Sequence, residues 1–353
     1  MPAAAVLLAG VLALAAGPAV DVEYDEVWRF ADTEIVESSG LVVTDDLVVT
    51  VNDSGDSGRI FTVDLATGQT VGVTRWSPDP RDVEALAPAG PRHVWVADIG
   101  DNRGVRSSLE LLRVPFGRGD RTVTPERYQV VHPGAAVDAE SLLAHPVSGQ
   151  LYVVTKEVFG SRVLALPERL DPRWPNELTE VGRVIGLATD AAFFPDGRHL
   201  IIRNYGRAVV YAYPEFQAVG SLVLPDQQQG EGIAVAPDGE VYLSSEGLRQ
   251  PLLRIVLPGA LRVRVSGLTG AEPNPPVETT PDVGAPDVGA PVTPTDPAPT
   301  EPAPTDPAPT EPPGDGFVDA DGNPWRPEIW PWIAGGLVGL VALLILIRSL
   351  RPR

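Results

Sequence analysis

From residue 20 to residue 267 the chain is written in short runs of Val, Leu, Ile and Tyr, broken every 8–12 residues by Gly, Pro, Asp or Asn. No helical period runs through this region, which predicts an all-β domain. A longer period lies over the short one. "ESSGLVV" begins at Glu37, "DVEALAP" at Asp82, "DAESLLA" at Asp138, "ATDAAFF" at Ala188 and "QGEGIAV" at Gln229, at separations of 45, 56, 50 and 41 residues. Each is followed after a turn by a second run: "LVVTVND", "VWVADIG", "LYVVTKE", "LIIRNYG" and "VYLSSEG". Third runs follow in "RIFTVD", "LELLRVP", "RVLALP", "AVVYAYP" and "LLRIVL".

A unit of three or four strands repeating every 40–55 residues is the pattern of a β-propeller blade. Fourth strands are read in "TVGVTRW", "RYQVVHP", "TEVGRVI" and "AVGSLVL", and the fifth unit lacks one. The N-terminal "VEYDEVWRF" lacks a partner. Pairing that strand with the fifth unit closes the ring and removes two exposed edges. Five blades are expected, with six as the alternative.

The flanks read differently. Residues 1–19 carry the apolar "AVLLAGVLALAAG" and a small-residue cleavage pattern, the reading of a signal peptide. Residues 268–328 include "TDPAPTEPAPTDPAPTEP", a disordered, polyproline-like stalk by composition. Residues 329–347 are uncharged, apolar and flanked by Trp, long enough to span a bilayer. The arginines of residues 348–353 place that end in the cytoplasm and the 20–267 domain outside the cell. The expected product is a monomer on a single-pass membrane anchor, facing an unidentified ligand or protein of the cell envelope.

Composition narrows this further. The chain has no cysteine, so an exported domain here holds together without disulfides. A net charge of −20 argues against nucleic acid as a partner. "GDSG" at 55–58 has no His–Asp arrangement to make a serine nucleophile of it, and "DADGNP" at 319–324 lacks the glycine and glutamate of an EF-hand.

The acids inside the repeat carry the chemistry. The first position of each unit reads Glu37, Asp82, Asp138, Ala188, Gln229; the position two later reads Ser39, Glu84, Glu140, Asp190, Glu231. Residues i and i+2 of a strand share a face, so inner strands carrying this pattern aim seven carboxylates around the central channel. Crowded carboxylates repel and raise one another's pKa, and a hard cation relieves that conflict. Outside the cell the expected ion is Ca²⁺. The second strands are aligned to bring Asp53, Asp98, Lys156, Arg203 and Glu246 to the same rim. Beyond Asp98, "IGDNRGVR" is expected to turn at Gly100, capped by Asp101 and Asn102, with Arg103 and Arg106 within reach of the acids.

The segments "ESSGL…VNDSGDSGRIFTVD", "DVEALA…VWVADIGDNRGVRSSLELLRVP", "DAESLL…LYVVTKE" and "QGEGIAV…VYLSSEG" resemble the β-propeller family described as esterase-like or phytase-like, over residues 30–257. The resemblance implies a secreted, metal-binding propeller with Glu84, Asp53, Asp98, Asp101, Glu140 and Glu231 as its characteristic positions. It also implies hydrolysis of phosphate esters. Two functions follow: a tethered binding module carrying Ca²⁺ at an acidic channel mouth, or a Ca²⁺-dependent ester or phosphoester hydrolase with Lys156 and Arg203 steadying the substrate anion.

Overall fold

Runs such as Leu47–Asn52 are apolar at nearly every position instead of every second one, so both faces of the strand must be covered. A sheet standing between two others meets that demand. The structure, a computed structural model, describes residues 18–53 and 55–267. It shows five antiparallel sheets in a ring. Blade 1 is Ser38–Val43, Leu47–Asn52, Arg59–Asp64 and Thr70–Arg75; blade 2 is Val83–Pro88, His93–Asp98, Leu109–Pro115 and Glu126–Val131. Blade 3 is Ala139–Ala144, Leu151–Thr155, Ser161–Ala165 and Thr179–Val184; blade 4 is Asp190–Phe193, His199–Arg203, Arg207–Ala212 and Gln217–Val223. Blade 5 is Gly230–Val235, Val241–Ser245 and Pro251–Val256, completed by the N-terminal strand Glu23–Arg29.

The five inner strands contact one another in a closed circle, so the ring has five blades and not six. Closure by Glu23–Arg29 against Pro251–Val256 is antiparallel, from Glu23 opposite Val256 to Arg29 opposite Pro251. The core lies between blades. Leu47, Val49 and Val51 pack toward Val83, Val94 and Leu112 of blade 2, while Val48 on the opposite face meets Ala234 and Tyr242 of blade 5. Three similar wedges fill the other interfaces among the blades. The period-2 signal is thus split between two hydrophobic faces.

Outer edges are covered by short parallel clips that sequence pattern does not reveal. Arg121–Thr122 pairs with the outer strand of blade 1, Asn176–Glu177 with that of blade 2, and Val20–Asp21 with that of blade 4. In each case the segment entering the next outer strand seals the previous blade's edge, which blunts strand addition by another chain. A seven-residue helix, Gly259–Val265, follows blade 5 and buries Leu261 and Val265. No described helix is long and apolar enough to cross a membrane. The stalk and the 329–347 span lie outside the described residues, as does nearly all of the 1–19 segment.

Inner strands all begin on one face of the ring, where the second strands end. In four blades the ladder slips there: between Ser38 and Leu41, Val83 and Ala85, Ala139 and Ser141, and Gly230 and Ile233. The extra residues include Ser39, Glu84, Glu140 and Glu231. A β-bulge bends its strand and re-aims a side chain. The repeat of acids is therefore a repeat of bulges, which the simple i, i+2 rule does not anticipate. Blade 4 has no bulge, and Asp190 pairs directly with Arg203.

Candidate functional site

Three carboxylates converge at the start of blades 1 and 2. Ligand oxygens of Asp53, Asp82 and Glu84 all lie within 4.8 Å of one another. Asp82 and Asp53 are half-buried at the mouth, and Glu84 lies beneath them, only 4 % exposed. The backbone explains the convergence. The N–H of Asp53 donates to the carbonyl of Glu37 at the end of blade 1's second strand (3.1 Å), while the bulge at Glu84 turns its side chain up beside Asp82. Gly100 closes the back of this triad. Its φ is not positive; a Cβ there would overlap Asp82 Oδ2 and Glu84 Oε1. The expectation that Gly100 serves the turn is corrected: it is small so that two carboxylates can rest against it.

This acid set is electrically unsettled. Burial pushes Glu84 far above the usual carboxylate range, and the charges of Asp53, Glu140, Asp82 and Asp138 push in the same direction. Asp82 rises to about 6, from burial first and then from Asp53 and Asp138. Glu246 rises to about 7 through burial, Glu231, Asp53 and Glu37. Glu37, bridged to Glu246 through the backbone, is raised by burial and by Asp53 and Asp56.

The other half of the mouth carries its own counter-ions. Lys156 Nζ donates to Glu140 Oε1 and stands 5.4 Å from the ring centroid of Tyr205. Burial would discharge Lys156, but Glu140 outweighs it and holds the ammonium charged. Glu140 remains raised, because burial and Glu231 oppose Lys156. Glu231 is raised by burial, against Lys156, a hydrogen bond from Gln229 and Arg203. Arg203 is fully buried, and burial lowers it to about 10 despite Glu231 and Asp190. Its Nη1 donates to the carbonyls of Gly232 (3.1 Å) and Ser244 (3.4 Å) in blade 5. Among the described residues, Arg203 Nη2 and Glu231 Oε2 are buried with no hydrogen-bond partner.

Several expected site residues turn out to stitch the fold. Asp98 does not face the channel: its carboxylate accepts the N–H groups of Arg81 (3.0 Å) and Asp82 (3.1 Å) and pairs with Arg106 at 2.7 Å. Asn52 does the same in blade 1, accepting the N–H groups of Val36 and Glu37. Asp98 thus matches Asn52, one place before Asp53, whereas Asp53, Lys156 and Glu246 donate their N–H groups to Glu37, Asp138 and Gln229 respectively. One residue of slip moves a side chain to the other face, so Asp98 leaves the rim. Arg203, also earlier in its strand, points into the blade 4–5 interface.

Asp190 is fully buried and accepts the N–H groups of Ala191 and of Ile233 in blade 5, both at 2.8 Å. Asp138 accepts the N–H of Asp101 at 2.7 Å, tying the blade 2 loop to blade 3. Asp101 is buried and caps that loop, accepting the N–H groups of Val105 (3.0 Å) and Arg106 (2.8 Å). Asn102 and Arg103 are exposed on it. Arg106 also donates to the carbonyls of Gly100 and Asp98, fixing the glycine under the triad. Sequence reading missed Tyr205 and Gln229, though Gln229 occupies a repeat position where other units carry acids.

Oxygens sharing one Ca²⁺ at 2.3–2.6 Å can be no more than about 5 Å apart, so the triad fits a single ion. The donors are all oxygen, which suits a hard cation. A cleft lined by Pro195, Asp196, Pro237 and Arg262 opens at the opposite ends of blades 4 and 5 and holds none of these residues.

No family model matches the chain, and no curated protein matches it in sequence. Among solved structures it is similar to the glutaminyl cyclase of Myxococcus xanthus, at 12 % identity and TM-score 0.44, over 68 % of this chain and 100 % of that one. A glucose dehydrogenase is similar at 10 % identity and TM-score 0.43, over 67 % and 100 %. A gluconolactonase from Xanthomonas campestris is similar at 13 % identity and TM-score 0.42, over 69 % and 99 %. Likeness at this level does not extend to chemistry.

Proposed function

We propose that the protein is a metal-dependent binding propeller, held outside the cell by its C-terminal apolar segment, with a divalent cation, Ca²⁺, on Asp53, Asp82 and Glu84. One observation carries the reading: three carboxylates meet within 4.8 Å, two of them, Asp82 and Glu84, against a glycine that leaves their oxygens room to approach. A cation there offsets the repulsion and burial that raise Glu84 and Asp82. Its remaining coordination positions are available to oxygen atoms of a ligand. The esterase-like or phytase-like resemblance agrees with a metal at this mouth.

Hydrolysis of an ester or phosphoester is the second reading, favoured by the position of Lys156. Its ammonium, fixed on Glu140 beside the acids, would steady a developing negative charge. A bound ion would polarise the ligand's oxygen.

Calorimetric titration of the chelator-treated full chain with Ca²⁺ tests the first reading. Binding that is lost in Asp53→Asn together with Glu84→Gln supports it. No binding, and a melting temperature indifferent to chelator, would sink it.

A further inference from the structure

The mouth face carries a second feature. Loops joining second to third strands, and outer strands to the next inner strand, all emerge where the inner strands begin. Six large apolar or aromatic side chains stand exposed on those loops: Val36, Val105, Val158, Phe159, Tyr205 and Leu248, with Phe159 fully exposed. They come from the entry to blade 1 and from the loops of blades 2, 3, 4 and 5, so they encircle the acids. Single exposed apolar residues need no explanation, but a rim of them around a polar depression marks a ligand surface. Inside the rim, Glu231 Oε2 is buried and unpartnered, on a side chain 3 % exposed. Unsatisfied buried polar groups are costly, and a polar ligand group or its water shell answers them.

We propose that the mouth takes an amphipathic ligand of low charge, a carboxylate or carboxylic ester bearing an apolar chain or ring, and not a polyphosphate. The inference rests on the metal reading above: the ligand's oxygens meet the ion, and its chain lies on Val105, Val158, Phe159 and Leu248. The charge pattern selects against polyanions. Phosphate groups are gripped by clusters of Arg and Lys. Here Lys156 is engaged by Glu140 and Arg203 is buried, while Glu37, Asp138, Glu231 and Glu246 line the remaining mouth. Arg103 stands exposed on its loop, beyond the acids.

The test titrates acetate, octanoate and inorganic phosphate into the Ca²⁺-loaded full chain, held in lipid nanodiscs so that no detergent competes for the rim. Octanoate should bind at least about tenfold more tightly than acetate, and more tightly than phosphate. Phe159→Ser with Leu248→Ser, both exposed and neutral to folding, should shrink the octanoate advantage to about threefold or less without changing Ca²⁺ affinity. Equal binding of octanoate and acetate, or tighter phosphate, with Ca²⁺ still bound, overturns the inference and leaves the metal reading intact. Failure to bind Ca²⁺ at all removes both.

Discussion

The carboxylate of Glu84 rests against the Cα of Gly100 so closely that a single methyl group on the glycine would overlap Glu84 Oε1. That contact links the two sides of one blade: the bulge that lifts Glu84 toward the mouth, and the strand end that Arg106 pins through the Gly100 carbonyl. Gly100→Ala should therefore act on the triad before it acts on the fold. Overpacking at such a site costs about 1–3 kcal/mol. Displacing even one carboxylate should weaken Ca²⁺ at least tenfold, about 1.4 kcal/mol. Calorimetry and thermal melting with and without Ca²⁺ measure the two effects. An alanine variant with parental Ca²⁺ affinity would show that Asp82 and Glu84 do not form the site.

Raised carboxyl pKa values set a pH dependence with a definite sign. Asp82 rises from 3.8 to about 6 and Glu246 from 4.5 to about 7, so the folded state binds these protons more tightly than the unfolded chain. Their contribution favours folding below the unfolded pKa values and is lost as pH rises through the folded ones. In chelator, melting temperature should fall across pH 5 to 7.5 from this contribution. Saturating Ca²⁺ should flatten or reverse the fall, and Ca²⁺ affinity should drop as pH falls through about 6, because the ion displaces the Asp82 proton. A chelated protein that grows more stable over this window contradicts the electrostatic account.

The blade repeat and its closure were legible because every blade repeats its apolar runs and turns, and because the unpaired "VEYDEVWRF" matched the missing fourth strand of blade 5. Which acids gather was only partly legible. Glu84 and Asp82 lie in the repeated inner strand, but their meeting depends on a bulge that a period of two cannot encode. Asp98 and Asp53 look equivalent in "VADIG" and "TVND", yet Asp98 matches Asn52, a difference of one residue fixed by hydrogen bonding to Arg81 and Asp82. The parallel clips, two residues each, are too short to leave a pattern.

That equivalence yields a stability test. Asp98 and Arg106 form a buried pair, with side chains 5 % and 9 % exposed. Removing one partner of such a pair costs about 3–5 kcal/mol, mostly from the charge left behind. Asp98→Ala should lose that much in urea denaturation. Asp98→Asn should lose less, because an Asn at this place can still accept both backbone N–H groups, as Asn52 does in blade 1. Equal losses in the two variants would mean that the Arg106 pair, and not the amide capping, dominates.

The orientation of the chain across a membrane is open to a direct test. On the proposed orientation, read from the arginines after residue 347, the C-terminus lies in the cytoplasm and the propeller outside. Protease added to intact spheroplasts should cut within the Pro- and Thr-rich 268–328 segment and release a fragment close to residues 20–267. A fragment that appears only after lysis reverses the assignment.

Lys156 separates the binding module from the hydrolase. It is the sole lysine of the chain, and its ammonium sits on Glu140 in the half of the mouth opposite the triad. In Lys156→Met the apolar stem is kept and the charge removed. Glu140, already raised by burial and Glu231, then loses its main opposing influence and should stay protonated at neutral pH. Two results should follow in either case: a lower melting temperature in chelator, and a Ca²⁺ affinity that changes little, because the lost ammonium is offset by the proton that Glu140 takes up. The readings part on the third measurement. Under the binding reading, ligand capture by the Ca²⁺-loaded variant persists and no turnover exists to lose. Under the hydrolase reading, ester or phosphoester turnover by the parent is measurable and falls steeply in the variant, more in kcat than in KM, since the ammonium would act on charge that develops only in the transition state. A variant whose melting and turnover both match the parent would remove Lys156 from the mouth's electrostatics altogether.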